Sequence, residues 1–276
     1  MKKLGKIGVF DSGFGGLTIL RNFVETFPMY DYIYLGDNAR APYGNKSFEL
    51  IYEYTLEGVK FLFDSGCELV ILACNTASAK ALRTIQQNDL PLLAPQKRVL
   101  GVIRPSTEEI GVLSKSGVVG ILGTEGTVNS MSYVIELEKS SPAVKVIQQA
   151  CPLWVPLIEE QAYNTPAGKL IIESDIARLF AQNASIDVIV LACTHYPIIK
   201  SIIDEIIPDG VQVLSQGPLV ADKLKDYLLR HPEIEERLTQ NATLTCYTTE
   251  STSYFNEHAS EIFGQSLLAE HIQLIS

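Results

Sequence analysis

The sequence predicts an α/β protein in which two similar lobes, each with a mostly parallel sheet covered by helices, enclose an active site in the cleft between them. Three observations lead to this prediction. Short apolar runs alternate with segments of helical spacing along the chain, two of these runs end at a cysteine, and the segments around those two cysteines resemble each other.

Seven apolar runs have the length and composition of strands that are buried on both faces. They are K-I-G-V-F (6–10), Y-I-Y-L-G (32–36), E-L-V-I-L-A (68–73), R-V-L-G-V-I (98–103), G-V-V-G-I-L-G (117–123), V-K-V-I (144–147) and D-V-I-V-L-A (187–192). Helical spacing of apolar residues marks the segments 17–27, 48–63, 128–139, 168–182 and 198–207. Strands joined by helical crossovers form parallel sheets, whose ligands bind at the carboxyl ends of the strands.

An internal repeat supports the division into two lobes. The segment E-L-V-I-L-A-C-N-T (68–76) is repeated as D-V-I-V-L-A-C-T-H (187–195), with the two L-A-C triplets aligned. A weaker match pairs I-G-V-F-D-S-G-F-G-G (7–16) with V-G-I-L-G-T-E-G-T (119–127). Each copy therefore has a Gly-rich turn near its start and a strand-end cysteine later.

The repeat also suggests where each lobe begins and ends. We expect the first lobe at residues 1–100, carrying Asp11 and Cys74 and completed by residues 211–276. The second lobe is expected at residues 101–210, carrying Glu159 and Cys193.

Composition limits the cellular compartment and the partners. The net charge of −10 argues against binding to a nucleic-acid backbone. The apolar run before Asp11 is only four residues long, too short for a signal peptide or a membrane span, so we expect a cytoplasmic protein without a membrane partner. The five cysteines are widely spaced without a C-x-x-C pair, which indicates reduced thiols and no metal site.

Cys74 and Cys193 are candidate acid/base groups. A cysteine that ends a strand and opens a helix lies in an electropositive position, which is expected to lower its thiol pKa from ~8.5 toward neutrality. The alternative is that they are small core residues, which is the interpretation favoured for Cys67, Cys151 and Cys246. Two cysteines in equivalent positions, each followed by hydrogen-bonding residues, favour the functional interpretation.

The turn D-S-G-F-G-G (11–16) is a candidate anion site, because a Gly-rich turn into a helix presents unpaired backbone N–H groups. It fits a tight β–α turn equally well. Thr18 occupies the place of the third glycine of the dinucleotide fingerprint, so that fingerprint is incomplete. Asp11 ends a strand, and its carboxyl group is expected to face the cleft.

His195 and Glu159 are candidate proton partners. His195 lies two residues after Cys193, where it can act as a proton partner or be a hydrogen-bonded core histidine. Glu159 ends the run C-P-L-W-V-P-L-I-E, whose apolar residues are compatible with either an active-site acid or a solvated helix acid.

Six motifs together resemble the glutamate racemase family of the Asp/Glu racemase superfamily. They are F-D-S-G-F-G-G (10–16), G-D-N-A-R-A-P-Y-G (36–44), L-A-C-N-T-A (72–77), G-T-E-G-T (123–127), C-P-L-W-V-P-L-I-E (151–159) and L-A-C-T-H-Y-P (191–197). They occur in order and cover nearly the whole chain. The wider superfamily shares the paired cysteines, while the P-Y-G and C-T-H-Y-P segments favour the glutamate branch.

The resemblance implies a cofactor-independent racemase that supplies D-glutamate for peptidoglycan synthesis. Cys74 and Cys193 would act as two acid/base groups on opposite faces of the α-carbon, one as thiolate and one as thiol. Asp11 would assist Cys74, while His195 and Glu159 would assist Cys193. Neither a pyridoxal lysine nor any other cofactor is expected.

The resemblance also implies a set of substrate contacts. They are Asp11, Ser12, Pro42, Tyr43, Gly44, Asn75, Thr76, Thr124, Thr127, Thr194 and His195. One departure from the family pattern is G-V-I-R-P (101–105), where an acidic residue is expected in place of Arg104. That position lies outside the cysteine motifs and concerns local contacts or regulation.

Glutamate is the expected small-molecule partner, and a homodimer is the expected assembly. Three alternatives remain open at this point: an aspartate racemase, a two-lobed amino-acid-binding regulatory protein without chemistry, and a thiol hydrolase or transferase. The binding protein has no need of two opposed thiols. The hydrolase or transferase needs one nucleophilic cysteine and leaves the second unexplained.

Overall fold

The computed structural model describes residues 5–274, in which ten strands form two parallel sheets. Strands β1 to β10 are, in chain order, Lys6–Asp11, Tyr32–Gly36, Cys67–Leu72, Arg98–Gly101, Val118–Gly123, Lys145–Ala150, Val188–Ala192, Gln212–Leu214, Leu244–Thr248 and Ala269–His271. The larger sheet has the order β10-β9-β2-β1-β3-β4, and the smaller sheet has the order β6-β5-β7-β8.

The two sheets repeat one topology. The order β2-β1-β3-β4 in the larger sheet corresponds to β6-β5-β7-β8 in the smaller one, element by element along the chain. In each, the strand that precedes a Gly-rich turn pairs with the strand that precedes a cysteine: β1 with β3, and β5 with β7. The internal repeat of the sequence is therefore a repeat of structure, and the predicted two-lobed α/β fold is confirmed.

Fourteen α-helical segments cover the sheets within the described residues. Helices α1 to α14 are Leu17–Thr26, Phe48–Asp64, Asn75–Lys80, Leu82–Thr84, Leu90–Leu93, Ile103–Leu113, Glu125–Asn129, Ser132–Ser140, Trp154–Glu159, Pro166–Gln182, Lys200–Ile206, Gln216–Arg230, Pro232–Glu235 and Thr252–Phe263. Turns of 3₁₀ helix cover Asn38–Arg40, Ala162–Asn164 and Tyr196–Ile199, and a π-helical segment covers Ile85–Asp89. No helix among residues 5–274 combines the length and apolar character that a membrane crossing requires.

All seven predicted strands are present, because long apolar runs can be buried on both faces only inside a covered sheet. Residues of β2 and β7 are buried along their whole length. The run 98–103 was predicted as one strand, but its last residue begins α6, so the strand ends at Gly101. The sequence analysis did not identify β8, β9 and β10, which are short or carry polar residues at alternate positions.

Two predicted helices are each divided in two. The segment 128–139 contains the end of α7 and most of α8, which are separated at Met131 by a left-handed backbone conformation (φ +56°). The segment 198–207 begins within a 3₁₀ turn that follows His195 and includes Pro197, and regular α-helix starts only at Lys200. Apolar spacing alone does not reveal these changes of backbone conformation.

Each lobe has its own apolar core. In the larger sheet, α1 and α12 pack together on one face through residues such as Leu17, Leu20 and Leu224. In the smaller sheet, α9 and α10 cover one face, where Trp154 and Ile176 are buried. The chain passes from the larger sheet to the smaller through β4 and α6, and returns through β8 and α12 before adding β9 and β10 beside β2.

Asp31 joins the beginning of β2 to the beginning of β9. Its buried carboxylate accepts hydrogen bonds from the backbone N–H and Nδ2 of Asn241 (3.2 and 2.6 Å) and from the backbone N–H and Oγ1 of Thr243 (3.0 and 2.7 Å). Burial alone would raise the pKa of Asp31, but the hydroxyl, amide and backbone donors, including the hydroxyl of Thr239, outweigh it and lower the pKa to about 2.

We expect Asp31→Asn to lower the free energy of unfolding by about 2 kcal/mol at pH 7, because the charged acceptor is stabilised by these donors. The folded-state pKa lies below the unfolded value of ~3.9. The contribution of the carboxylate is therefore complete well above pH 4 and is lost as the pH falls toward 2. Chemical denaturation of both proteins at pH 7 and pH 3 should give a smaller difference at pH 3.

Asp209→Asn is the control, because Asp209 is exposed in the turn before β8. A difference between wild type and Asp31→Asn that stays constant between pH 7 and pH 3 would contradict this account of the Asp31 carboxylate.

Candidate active site

A cavity of about 340 Å³ lies where the carboxyl ends of the two sheets meet. Its walls include Ser12 after β1, Cys74 after β3, Thr124 after β5 and Cys193 after β7. The two cysteines singled out by the internal repeat therefore line the same cavity, each carried by a different sheet.

Cys74 lies between β3 and the first residue of α3, and it is buried. Its Sγ is 3.4 Å from Ser12 Oγ. The pKa of the Cys74 thiol is raised to about 12, first by burial and then by the negative charge of Asp11. The prediction that the helix start lowers this pKa toward neutrality is thus wrong for Cys74, because burial and a nearby carboxylate outweigh the effect of a short helix.

Asp11 is completely buried at the end of β1. Its carboxylate accepts hydrogen bonds from the Gly13 N–H (3.0 Å) and from Thr194 Oγ1 (3.3 Å), so it connects the two sheets. Burial raises the pKa of Asp11, while the charge of His195 and the hydrogen bonds oppose that rise. The carboxylate lies close enough to Cys74 to affect its pKa, but Asp11 is not among the residues that line the cavity.

Cys193, His195 and Glu159 form the second cluster. Cys193 Sγ is 4.0 Å from His195 Nδ1, and His195 Nε2 is 3.0 Å from Glu159 Oε1. All three residues line the cavity, and Glu159 comes from the last turn of α9. Burial lowers the pKa of His195, but its interactions with Cys193 and Glu159 outweigh burial and raise the pKa to about 10. With this pKa, the His195 side chain is a positively charged imidazolium at neutral pH.

A second cavity, of about 480 Å³, shares Glu159 and His195 with the first. Its other walls include Phe14, Arg21 and His258. About a quarter of the Glu159 side chain is exposed, whereas His195 is almost fully buried. Glu159 is therefore the member of the Cys193 cluster that has contact with solvent.

Gly15 allows the two sheets to approach each other at this point. A Cβ atom on Gly15 would lie 2.3 Å from Thr194 Oγ1 and 2.6 Å from His195 Nδ1. Both distances are too short for non-bonded atoms, so no side chain fits at this position. The turn D-S-G-F-G-G thus needs glycine here for close backbone approach.

Most of the predicted substrate contacts line the 340 Å³ cavity. These are Ser12, Pro42, Tyr43, Gly44, Asn75, Thr76, Thr124, Thr194 and His195. Asp11 and Thr127 do not line it. Thr127 lies behind Thr124 and accepts a hydrogen bond from Thr124 Oγ1 at its own Oγ1 (3.1 Å). Thr124 Oγ1 also lies 3.0 Å from Thr76 Oγ1.

The Pro42–Tyr43–Gly44 wall is held by residues that the sequence analysis did not single out. The Tyr43 hydroxyl donates to Asp37 Oδ2, and Arg40 Nε donates to the same oxygen (2.7 Å). Asp37 and Arg40 belong to the motif G-D-N-A-R-A-P-Y-G (36–44), so this motif could have identified them as neighbours of the site. Gly44 O accepts from the backbone N–H of Gly126 (2.8 Å), which joins this wall to the other lobe.

Eight further lining residues were missed. They are Gly13, Ala41, Asn45, Glu125, Pro152, Leu153, Val155 and Pro156. All lie beside predicted site residues or within the quoted motifs. Pro152, Leu153, Val155 and Pro156 come from α9 and the turn before it, the segment that also carries Glu159.

The remaining cysteines and Arg104 lie away from the cavity. Cys67, Cys151 and Cys246 are buried, and none of them lines it. Burial raises the pKa of Cys67 and of Cys246 to about 12. Arg104 is exposed on α6, where its Nε pairs with Glu108 (3.2 Å). Among residues 5–274, the structure brings together no group of three or more His, Cys, Asp or Glu side chains that could hold a metal ion.

The arrangement places two thiols, each able to accept or donate a proton, on one cavity. Cys74 has a carboxylate neighbour, whereas Cys193 has an imidazole neighbour. A nearby positive charge stabilises a thiolate, and burial next to a carboxylate stabilises a thiol. The two acid/base groups are thus in different electrostatic environments at the ends of equivalent strands.

Residues 7–224 match the family model described as Asp/Glu/Hydantoin racemase. A glutamate racemase of Geobacter metallireducens is 40% identical over 234 residues, which cover 83% of this chain and 84% of that protein. Among solved structures, a glutamate racemase isoform from Bacillus anthracis has a TM-score of 0.89 and 30% identity over 99% of each chain. The glutamate racemase of Francisella tularensis in complex with D-glutamate has a TM-score of 0.87 and 31% identity, also over 99% of each chain.

The matched region runs from β1 into α12 and contains both cysteine motifs. The likeness in sequence and the likeness in structure each extend over most of the chain. On this evidence, the chain belongs to the Asp/Glu/Hydantoin racemase family.

Proposed function

We propose that this protein is a glutamate racemase, which interconverts L- and D-glutamate without a cofactor by proton transfer between two thiols and the α-carbon. One observation carries the proposal: Cys74 and Cys193, from equivalent positions of two sheets, line one 340 Å³ cavity. A family match and extensive similarity to glutamate racemases support the same activity.

The reaction requires groups on both faces of the substrate. A thiolate on one face takes the α-proton, which leaves a carbanion stabilised by the adjacent carboxylate group. The thiol on the opposite face then donates its proton to the same carbon, which inverts the configuration. After one turnover the thiolate and the thiol have exchanged places, and the enzyme is ready for the reverse reaction.

The electrostatic surroundings of the two thiols differ. Cys74, with a pKa raised to about 12, is protonated at neutral pH. His195, with a pKa raised to about 10, carries a positive charge that would stabilise a thiolate at Cys193. In this proposal Cys74 is the acid and Cys193 the base at the start of one direction, and Asp11, His195 and Glu159 assist the two thiols.

Substrate binding would use hydroxyl, amide and backbone N–H groups. The proposed contacts are Asp11, Ser12, Pro42, Tyr43, Gly44, Asn75, Thr76, Thr124, Thr127, Thr194 and His195. Asp11 and Thr127 would act indirectly, through their hydrogen bonds to Thr194 and Thr124. The complex of the Francisella tularensis relative with D-glutamate supports glutamate as the ligand.

Two alternatives predict different outcomes in solution. An aspartate racemase would act on the shorter amino acid, and an amino-acid-binding regulatory protein would leave the configuration of its ligand unchanged. The presence of two thiols on one cavity favours chemistry over binding alone.

We further propose a cytoplasmic location, a homodimer, and a role in supplying D-glutamate for peptidoglycan. The lobes are proposed as residues 1–100 with 211–276, and residues 101–210. This division is supported by the sheets, because one contains β1–β4, β9 and β10 and the other contains β5–β8. The last strand of the second sheet, β8, ends at Leu214, a few residues after the proposed boundary at residue 210.

Purified wild-type protein should bring L-glutamate to a racemic mixture, measured by the decay of its circular dichroism signal. We expect Cys74→Ser and Cys193→Ser each to slow this decay by at least about 100-fold, because a serine hydroxyl is a much weaker acid than a thiol. L-Aspartate, assayed in parallel, should keep its signal.

Cys67→Ser and Cys246→Ser are matched controls, since both cysteines are buried and lie outside the cavity. They should retain near-normal rates. Near-normal turnover by Cys74→Ser or Cys193→Ser would refute the assignment of the two thiols, and faster racemisation of aspartate would refute the assignment of the substrate.

Asp11→Asn and His195→Asn should slow the two directions unequally. Asp11→Asn is expected to lower kcat mainly in the direction that uses Cys74 as base, and His195→Asn in the direction that uses Cys193. The two enantiomers have equal free energies, which fixes the ratio of the two kcat/KM values. The difference must therefore be measured in kcat or in the deuterium isotope effect for each direction.

If both variants reduced kcat equally in the two directions, with unchanged isotope effects, the pairing of Asp11 with Cys74 and of His195 with Cys193 would be wrong.

A further inference from the structure

Three buried side chains close a ring of hydrogen bonds behind Asn75. Asn75 Nδ2 donates to Gln216 Oε1 (2.6 Å), Gln216 Nε2 donates to Tyr133 Oη (2.9 Å), and Tyr133 Oη donates to Asn75 Oδ1 (2.8 Å). Each residue is at most 2% exposed. Each residue donates one hydrogen bond to the next, so the three hydrogen bonds run in the same direction around the ring.

A backbone carbonyl fixes that direction. The amide end of Gln216 lies 3.3 Å from Val102 O and 2.9 Å from Ser106 Oγ, and the Ser106 hydroxyl itself donates to Val102 O (2.7 Å). A carbonyl oxygen can only accept, so the nitrogen of Gln216 must face Val102 and its oxygen must face Asn75. The nitrogen of Asn75 must then face Gln216, and its oxygen must face Tyr133.

Asn75 follows Cys74 directly and lines the 340 Å³ cavity. Among residues 5–274, the structure gives Asn75 Nδ2 one acceptor, Gln216 Oε1, which leaves its second hydrogen free. We propose that Gln216 and Tyr133 are positioning residues that hold the Asn75 amide so that it offers an N–H donor, not a carbonyl acceptor, to a carboxylate of the substrate. This inference rests on the proposed function for the identity of that substrate.

Gln216 and the residues that orient it belong to the two segments that connect the sheets. Val102 and Ser106 lie at the start of α6, which follows β4, and Gln216 is the first residue of α12, which follows β8. Tyr133 lies on α8 beside the smaller sheet. The orientation of one amide next to Cys74 thus depends on both chain crossings between the sheets.

The loss of Tyr133 or Gln216 would leave the Asn75 amide held by one partner instead of two. In Tyr133→Phe, Asn75 Oδ1 has no donor in the ring, and a flipped amide would present its oxygen to the substrate carboxylate. A hydrogen bond to a charged group is worth enough that its replacement by this repulsive contact should weaken glutamate binding by about tenfold or more.

The test measures D-glutamate binding by isothermal titration calorimetry, together with KM and kcat for racemisation. We expect Tyr133→Phe and Gln216→Leu each to raise Kd and KM by about tenfold or more, with a much smaller change in kcat. Tyr32→Phe is the matched control. Tyr32 is equally buried, and its hydroxyl donates to Phe23 O and Phe27 O in the larger sheet's core, away from the cavity.

The Asn75→Ala background separates positioning from a general packing defect. If Tyr133 acts through the Asn75 amide, then Tyr133→Phe should raise Kd in the wild-type background and leave Kd unchanged when Asn75 is already alanine. Equal increases in both backgrounds, or a Tyr133→Phe protein that binds like Tyr32→Phe, would overturn the inference.

The two proposals fail differently. Wild-type protein that binds D-glutamate but does not racemise it would refute the proposed function, while the Kd values of the variants would still decide the role of the ring. Wild-type protein that binds no glutamate at all would refute both.

Discussion

Backbone segments of the two lobes approach each other closely at the carboxyl ends of the two sheets. The rest of the site depends on this contact. Gly15 leaves room for Thr194 and His195 of the other lobe, which no larger residue could do. Across the cavity, the Gly126 N–H donates to Gly44 O. Because parallel sheets present their loops at one edge, two sheets facing each other edge to edge place two equivalent loops around a single ligand. A fold made by repetition therefore brings two cysteines from equivalent strand ends to one cavity.

The repeat places the thiols symmetrically, but their neighbours differ. In the aligned segments, Asp11 corresponds to Gly123 and His195 to Thr76, so the strand-end carboxylate of Asp11 has no counterpart in the second sheet and the imidazole has none in the first. Burial and the carboxylate raise the pKa of Cys74, while the imidazole keeps its positive charge through Glu159. Chemically identical groups therefore lie in different electrostatic environments, which suits the proposed reaction, because one group must accept a proton while the other donates one.

Much of this arrangement could be predicted from the sequence. Apolar runs such as residues 187–192 are long and unbroken, and only a covered parallel strand buries both faces of such a run. The strand-end cysteines followed from the same pattern. The raised pKa of Cys74 did not, because the local rule for helix starts takes no account of burial or of a carboxylate 63 residues earlier in the chain. The ring that includes Asn75 and Gln216 joins residues far apart in sequence, without a local motif, and only the folded chain reveals it.

Isotope labelling in heavy water tests the central claim of two thiols acting from opposite faces. Starting from L-glutamate, one thiolate removes protium from the α-carbon, and the opposite thiol, already exchanged with solvent, delivers deuterium. Mass spectrometry of the separated enantiomers at low conversion should therefore find deuterium in the D-glutamate formed and protium in the remaining L-glutamate. Early D-glutamate that kept the substrate's own α-proton would contradict the two-thiol account and indicate a single base that reaches both faces.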